Sequence, residues 1–329
     1  MGEYETLESL LFNVDLSLIE QTVKKGYHQD GPGRPPRSPL GLFNANIVKR
    51  IMGIRSEREL VRKLSTDHRL RGLCRIEDHE RPYGIAVLSR FRKRVGPRRL
   101  GEIIDSLLRK LTQWRVIGGE KVAMDTSPIK AYSRRSLDNR SGSSDPDARV
   151  GRGVRGYILG YKLHLAVDAC SELPVAFTVA PANRNEKVKA PLLLGRAHRL
   201  LGKRLEVLVA DSQYSSQRFR NIVSANDVEA VIPYPSNQRR GKRGLLRVDK
   251  RFHVHGPPRL KRLYGLRSAV ERVFSRLDLQ LSLSIHKLRG LRNISTHAAY
   301  CIIALFLIAE ASWRLGDLSH IRSVTYFAT

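Results

Sequence analysis

Lys121-Val122-Ala123-Met124-Asp125-Thr126-Ser127-Pro128 reads as a short apolar strand that hands a carboxylate to a turn. Val122, Ala123 and Met124 form the run and Asp125 ends it. Thr126, Ser127 and Pro128 then stop it, because small polar residues and proline favour turns. Taken singly, Asp125 fits a turn-capping aspartate equally well. Further along, Leu205-Glu206-Val207-Leu208-Val209-Ala210 is a second apolar run, and it too delivers an acid, Asp211. Strand ends within one sheet can open onto one crevice, so two acids so placed say more together than either does alone.

Outward from these runs the pattern is mixed α/β. Residues 161–167 alternate in polarity and 175–179 are apolar. With 122–124 they make three consecutive strands, whose short connections predict antiparallel pairing. Helical periodicity covers 186–201 and 216–224, and 228–232 is one more short strand. Between Arg134 and Gly156, Ser, Gly, Asp and Arg predominate, which predicts a mobile surface loop. Gly151-Arg152-Gly153-Val154-Arg155-Gly156 has the spacing of a dinucleotide-binding turn. That turn needs a strand before it and a helix after it, and here a polar loop precedes and a strand follows. His253 and His255 lack a third ligand nearby, and no phosphate-binding loop with its lysine occurs. A nucleotide cofactor is therefore not expected.

The first third of the chain is helical in pattern. Helix breakers and arginine in 30–39 predict an extended basic connector. Residues 42–54 are apolar-periodic, and Ser56-Glu57-Arg58-Glu59 is a capping box. In 85–95, Ile85, Leu88, Phe91 and Val95 make an apolar stripe. Arg90, Arg92, Lys93 and Arg94 project elsewhere, as a DNA-reading helix would require. A second basic segment, 238–262, carries Arg239, Arg240, Lys242 and Arg243 on a Gly and Pro scaffold suited to phosphate contact. Two helices, 260–277 and 297–315, close the chain. On the first, Leu263, Leu266, Val270, Val273, Phe274 and Leu277 make a buried face, and Tyr264, Arg267 and Glu271 line its edge. A surface ion pair between Arg267 and Glu271, four residues apart, accounts for that spacing equally well.

Charge names the partner. In 329 residues there are 59 Lys and Arg against 31 Asp and Glu, a net +28, with 41% hydrophobic residues. Such self-repulsion is relieved most directly by a polyanion, nucleic acid before membrane. A structural RNA- or ribosome-associated protein would satisfy the charge alone. Cys74, Cys170 and Cys301 are too few and too scattered for a disulfide framework, which fits a reducing compartment. The opening residues lack a leader pattern. The apolar run 298–309 meets Glu310 before the roughly 20 residues that a membrane span requires. A buried helix, no membrane, and a cytoplasmic, nucleoid-associated protein are the expectations.

Asp125, Asp211 and Glu271 would suit phosphodiester chemistry. Two divalent cations about 4 Å apart stabilise the attacking and leaving oxygens together, and oxygen ligands favour Mg²⁺, with Mn²⁺ as the alternative. At this point the chain resembles a family. Ala123-Met124-Asp125-Thr126-Ser127, Val209-Ala210-Asp211-Ser212-Gln213-Tyr214 and Tyr264-Gly265-Leu266-Arg267-Ser268-Ala269-Val270-Glu271 are similar to motifs of the DDE transposases of bacterial and archaeal insertion sequences. The last looks like the Tyr-x-x-Arg-x-x-x-Glu signature of one branch. Residues 56–73 and 88–94 resemble the helical N-terminal domain of these enzymes.

The resemblance implies a ribonuclease H-like mixed sheet flanked by helices, preceded by an all-α DNA-binding domain. The expected layout is a helical domain at 1–115, a catalytic domain at 116–315 and a tail at 316–329. Asp125, Asp211 and Glu271 would coordinate two metal ions, and Tyr264 and Arg267 would touch DNA near the cleaved strand. The implied partners are terminal inverted repeats and target DNA, met as a homodimer or larger synaptic assembly. The signature continues with a basic residue where this chain has Asp278, leaving Lys287 or the loop arginines for that role. A catalytically inactive, transposase-derived DNA-binding protein is the rival reading.

Overall fold

The computed structural model describes residues 4–27, 36–153, 156–235 and 258–328. The chain divides into two compact units, Met1–Leu111 with Arg276–Thr329, and Thr112–Ser275. In chain order the helices of the first stretch are α1 (Glu5–Asn13), α2 (Ser17–Lys24), α3 (Pro39–Ile51), α4 (Glu57–Thr66), α5 (His68–Leu73) and α6 (Ile85–Gln113). The second unit has β1 (Lys121–Lys130), β2 (Arg149–Gly153), β3 (Gly156–Asp168), β4 (Pro174–Pro181), α7 (Glu186–Leu201), β5 (Val207–Ala210), α8 (Gln217–Ser224), β6 (Glu229–Val231), α9 (Pro258–Gly265) and α10 (Ser268–Ser275). A turn of π-helix at Arg276–Gln280 leads to α11 (Leu291–Arg314).

Polar residues just ahead of the helices satisfy the first free N–H groups. Ser38 accepts from the N–H of Gly41 at 3.0 Å, Ser56 from Glu59 at 3.1 Å, and Asp67 from Leu70 at 2.9 Å. The capping expected at Ser56 is therefore formed. α6 bends at Gly96, whose φ of 63° lies in the left-handed region, and Pro97 restarts the helix beyond it. Leu88, Phe91 and Val95 are buried as expected, but Ile85, predicted on the same stripe, is exposed.

By compactness, Arg276–Thr329 groups with the N-terminal helices. α11 packs on α1 and α3. It is apolar on every side, and a helix of that kind must be covered all round. By length and composition it could cross a membrane, yet 94% of its most apolar 18-residue window is buried. Glu310, with no exposed surface, accepts from Lys110 Nζ at 2.9 Å, Arg314 Nε at 3.1 Å and the Asp15 N–H at 3.1 Å.

In the second unit β1 lies between an antiparallel β3 and a parallel β5, and β6 continues the parallel side. β4 and β2 both pair antiparallel with β3, at its two ends. This is the ribonuclease H-like mixed sheet expected above. Val207, Val209 and Val231 form a buried patch on which Leu260, Leu263 and Leu266 pack.

Three local expectations need correction. β1 does not stop at Asp125 but runs to Lys130, still paired with β3, while its pairing with β5 ends at Met124. Among the described residues one side of β1 has no strand neighbour beyond Met124, and there Pro128, which cannot donate, is tolerated. The predicted loop between Arg134 and Gly156 contains β2. A Cβ on Gly151 would collide with the carbonyl of Ala182, so close backbone packing explains that glycine without any dinucleotide. Finally, the helix predicted over 260–277 is broken: the N–H groups of Leu266 and Arg267 turn back to Leu263 and Tyr264, separating α9 from α10.

Candidate active site

Asp125 and Asp211 are brought together by strand register. Met124 pairs with Ala210 across the parallel β1–β5 ladder, so each aspartate is the next residue on neighbouring strands, roughly 5 Å apart at the backbone. Both line one cavity of about 1280 Å³, together with Arg267 and Glu271. Asp125 Oδ1 accepts from the N–H of Thr126 at 2.8 Å, and Asp211 Oδ1 accepts from that of Gln213 at 2.8 Å. Each carboxylate is thereby aimed by a backbone N–H just after it in the chain, within β1 for Asp125 and in the turn beyond β5 for Asp211.

Glu271 arrives from α10, in its first turn. The break before α10 lets Arg267 reach both ways. Its Nη1 donates to Asp125 Oδ2 at 2.8 Å and its Nη2 lies 2.6 Å from Glu271 Oε1. The ion pair between Arg267 and Glu271 is present, although Arg267 stands in the break before α10 rather than on one continuous helix, and the same guanidinium also bridges to Asp125. Tyr264 is half-buried, with its ring packed beside Val207, Val209 and Val231. The Arg267 guanidinium carbon lies 6.0 Å from its ring centre.

Burial pushes the Asp125 carboxyl up to about 6; the charges of Asp211 and Glu271 add to this, while Thr126 and Arg267 oppose it. Asp211 is also raised, chiefly by burial, with Glu186 contributing. Acids held in this way gain from a nearby cation. Among the described residues no three His, Cys, Asp or Glu side chains stand close enough to hold a metal ion as they are. A guanidinium, itself a cation, occupies the space between two of the three acids. The donor set, three carboxylates and no sulfur or imidazole, fits hard divalent cations such as Mg²⁺ or Mn²⁺ in its place.

Behind Asp125, β1 is tied to its neighbours by a buried chain. Thr126 Oγ1 lies 2.9 Å from His164 Nδ1 and 2.7 Å from the Tyr214 hydroxyl. Burial lowers His164 to about 4, so its ring is neutral near pH 7. On the far side of β1, Lys162 Nζ and Glu186 Oε1 form a buried pair at 2.5 Å, and both line the cavity. Sequence reasoning passed over Lys162, His164 and Glu186. The signal was available in β3, where Lys162 and His164 interrupt an otherwise apolar strand at alternate positions.

The other expected DNA contacts distribute differently. Arg92 is paired with Glu57 at 2.5 Å, and Arg94 stacks on Tyr27, 4.4 Å from its ring centre. Both are thus engaged within the helical unit, and Arg90, Lys93 and Arg94 remain exposed. Arg239, Arg240, Lys242 and Arg243 lie outside the described residues. Asp278, at the position where the signature has a base, accepts from the Ser284 hydroxyl at 2.7 Å.

Residues 118–307 match the family described as Transposase DDE domain, and residues 4–94 the one described as Transposase domain (DUF772). No curated protein matches the chain. Among solved structures, the chain is similar to the piggyBac transposase in a synaptic complex with hairpin DNA, at 11% identity and a TM-score of 0.45, over 99% of this chain and 80% of that one. It is also similar to a pre-cleavage Mos1 transpososome, at 10% identity and a TM-score of 0.24, over 88% and 99%. A Mos1 mariner paired-end complex with Mn matches at 10% identity and a TM-score of 0.24, over 90% and 82%.

Proposed function

Since this chain belongs to the Transposase DDE domain family, we propose that it binds the terminal inverted repeats of a mobile element, cuts there and joins the freed ends to target DNA. Water first, then a DNA 3′-hydroxyl, displaces a phosphodiester oxygen in line. Asp125, Asp211 and Glu271 would hold two divalent cations, Mg²⁺ or Mn²⁺, and these would supply neutralisation of the charge that builds on the phosphodiester oxygens. The chain's own part is orientation. Thr126 and Gln213 aim the aspartates through backbone N–H groups, and the His164–Thr126–Tyr214 chain fixes the strand that carries the first of them. Arg267, once released from Asp125 and Glu271, is free to meet a DNA phosphate, with Tyr264 beside it. The protein acts as a dimer or larger assembly on the nucleoid.

The observation that carries this reading is the register of β1 against β5, which sets Asp125 beside Asp211 at one cavity, with Glu271 linked to Asp125 through Arg267. The test is Asp211→Asn, assayed on duplex carrying the inverted repeats that flank the gene. Strand cleavage in Mg²⁺ should vanish while binding to that duplex persists. Retained Mg²⁺-dependent cleavage would overturn the assignment. A wild-type protein that binds the duplex but never nicks it at any dose would leave only the DNA-binding reading.

A further inference from the structure

The cavity that holds the three acids has a second wall of opposite charge. β1, β5 and α10 supply Asp125, Asp211 and Glu271, with Arg267 as the cation among them. On the β3 side of β1 the lining is Arg152 from β2, Lys162 from β3, Arg184 from the β4–α7 turn and Lys187 from the first turn of α7. Glu186 is the acid of that wall, and it is committed to Lys162 at 2.5 Å. Among the described residues no carboxylate pairs with Arg152, Arg184 or Lys187. Arg152 and Arg184 are exposed and Lys187 is half-buried. Four cations against one acid face a wall of three acids against one cation.

We infer that the wall built by Arg152, Lys162, Arg184 and Lys187 is a binding site for the phosphodiester backbone of a DNA strand lying across the end of the sheet. This rests on the reading that the chain acts on DNA. A backbone with its divalent counter-ions is the ligand that answers both walls: anionic oxygens meet the basic side, and the cations they carry meet the acids. Unpaired surface arginines and lysines repel one another, and phosphates relieve that repulsion without reading sequence. Glu186 has a defined place in this site. It holds Lys162 in the wall when no phosphate is there, and it competes with phosphate for the same ammonium.

The test is equilibrium binding of duplex DNA across a salt series in EDTA, where no cleavage can occur. Each lost phosphate contact lowers the salt-dependence exponent by roughly 0.9, so Arg184→Gln with Lys187→Gln should lower it by roughly 1.8. The affinity loss should be equal on inverted-repeat and unrelated duplex. Arg199→Gln, near the other end of α7, controls for net charge and should leave the exponent in place. Glu186→Gln frees Lys162 and should tighten binding, an effect of opposite sign that misfolding cannot imitate. Unchanged exponents in the double variant and in Glu186→Gln, or an equal drop with Arg199→Gln, would overturn the inference. Nicking of the same duplex by the wild type in Mg²⁺ reads the underlying function separately. A protein that binds with these slopes yet never nicks keeps the phosphate wall and loses the catalytic reading, and one that nicks with flat slopes does the reverse.

Discussion

Asp125 is held at a cost, and pH exposes it. Its folded carboxyl titrates near 6, above an ordinary value of 3.8, through burial first and then the charges of Asp211 and Glu271. Below about pH 3 both folded and unfolded states are protonated and the group is neutral to stability. As pH rises through 4 to 6 the unfolded chain loses its proton first, so folding stability falls, and above 6 the loss is complete. Asp125→Asn should therefore match the wild type at pH 3 and exceed it at pH 7.5 by about 3 kcal/mol, read as a difference in denaturant midpoint. Adding Mg²⁺ at pH 7.5 should stabilise the wild type and not the variant. Asp125 and Asp211 were legible because each ends an apolar run. Arg267 was legible as a position but not as a bridge, since its link to Asp125 depends on the turn at Leu266 that helical periodicity smooths over.

Among the elements, β1 governs how well the acids are aimed. Thr126→Val keeps its shape and removes the hydroxyl shared by Tyr214 and His164, whose Nε2 already has no partner. Leaving two buried polar groups unsatisfied should cost about 3 kcal/mol in denaturant unfolding. A loss under about 0.5 kcal/mol would show that the chain of hydroxyls does not brace the strand. In α6, Gly96→Ala places a Cβ at φ 63° and should cost about 1–2 kcal/mol, visible in the thermal midpoint. α7 was readable to the residue because Asn185 caps it and its apolar spacing is regular. β2 was not, because Arg149–Gly153 has no apolar alternation of its own and exists as a strand only through pairing with β3.

At the scale of the molecule, the first unit is assembled from both ends of the chain. Glu310 in α11 anchors Lys110 and Arg314 while fully buried. Glu310→Gln removes their shared anion and should destabilise the protein by about 2 kcal/mol, a value kept low because both cations retain some water. Expressed alone, 1–111 should be aggregated or unfolded, since α11 is missing from α1 and α3. Co-expression with 276–329 should restore a soluble, helical complex by gel filtration and circular dichroism. A monomeric, cooperatively folded 1–111 would contradict this. The unbroken apolar run 298–309 identified α11 as a buried helix, but which partners bury it is a long-range property that no window of sequence contains.

That split origin sets a timetable for biosynthesis. After Leu111 leaves the ribosome, translation of everything through Ser275 delays the completing segment by roughly 10–30 s at ordinary elongation rates. For that interval the nascent helices carry apolar faces with nothing to cover them, while the sheet-bearing portion can finish first. A message truncated within that span yields a polypeptide whose leading portion never closes, the kind of product that chaperones and proteases remove.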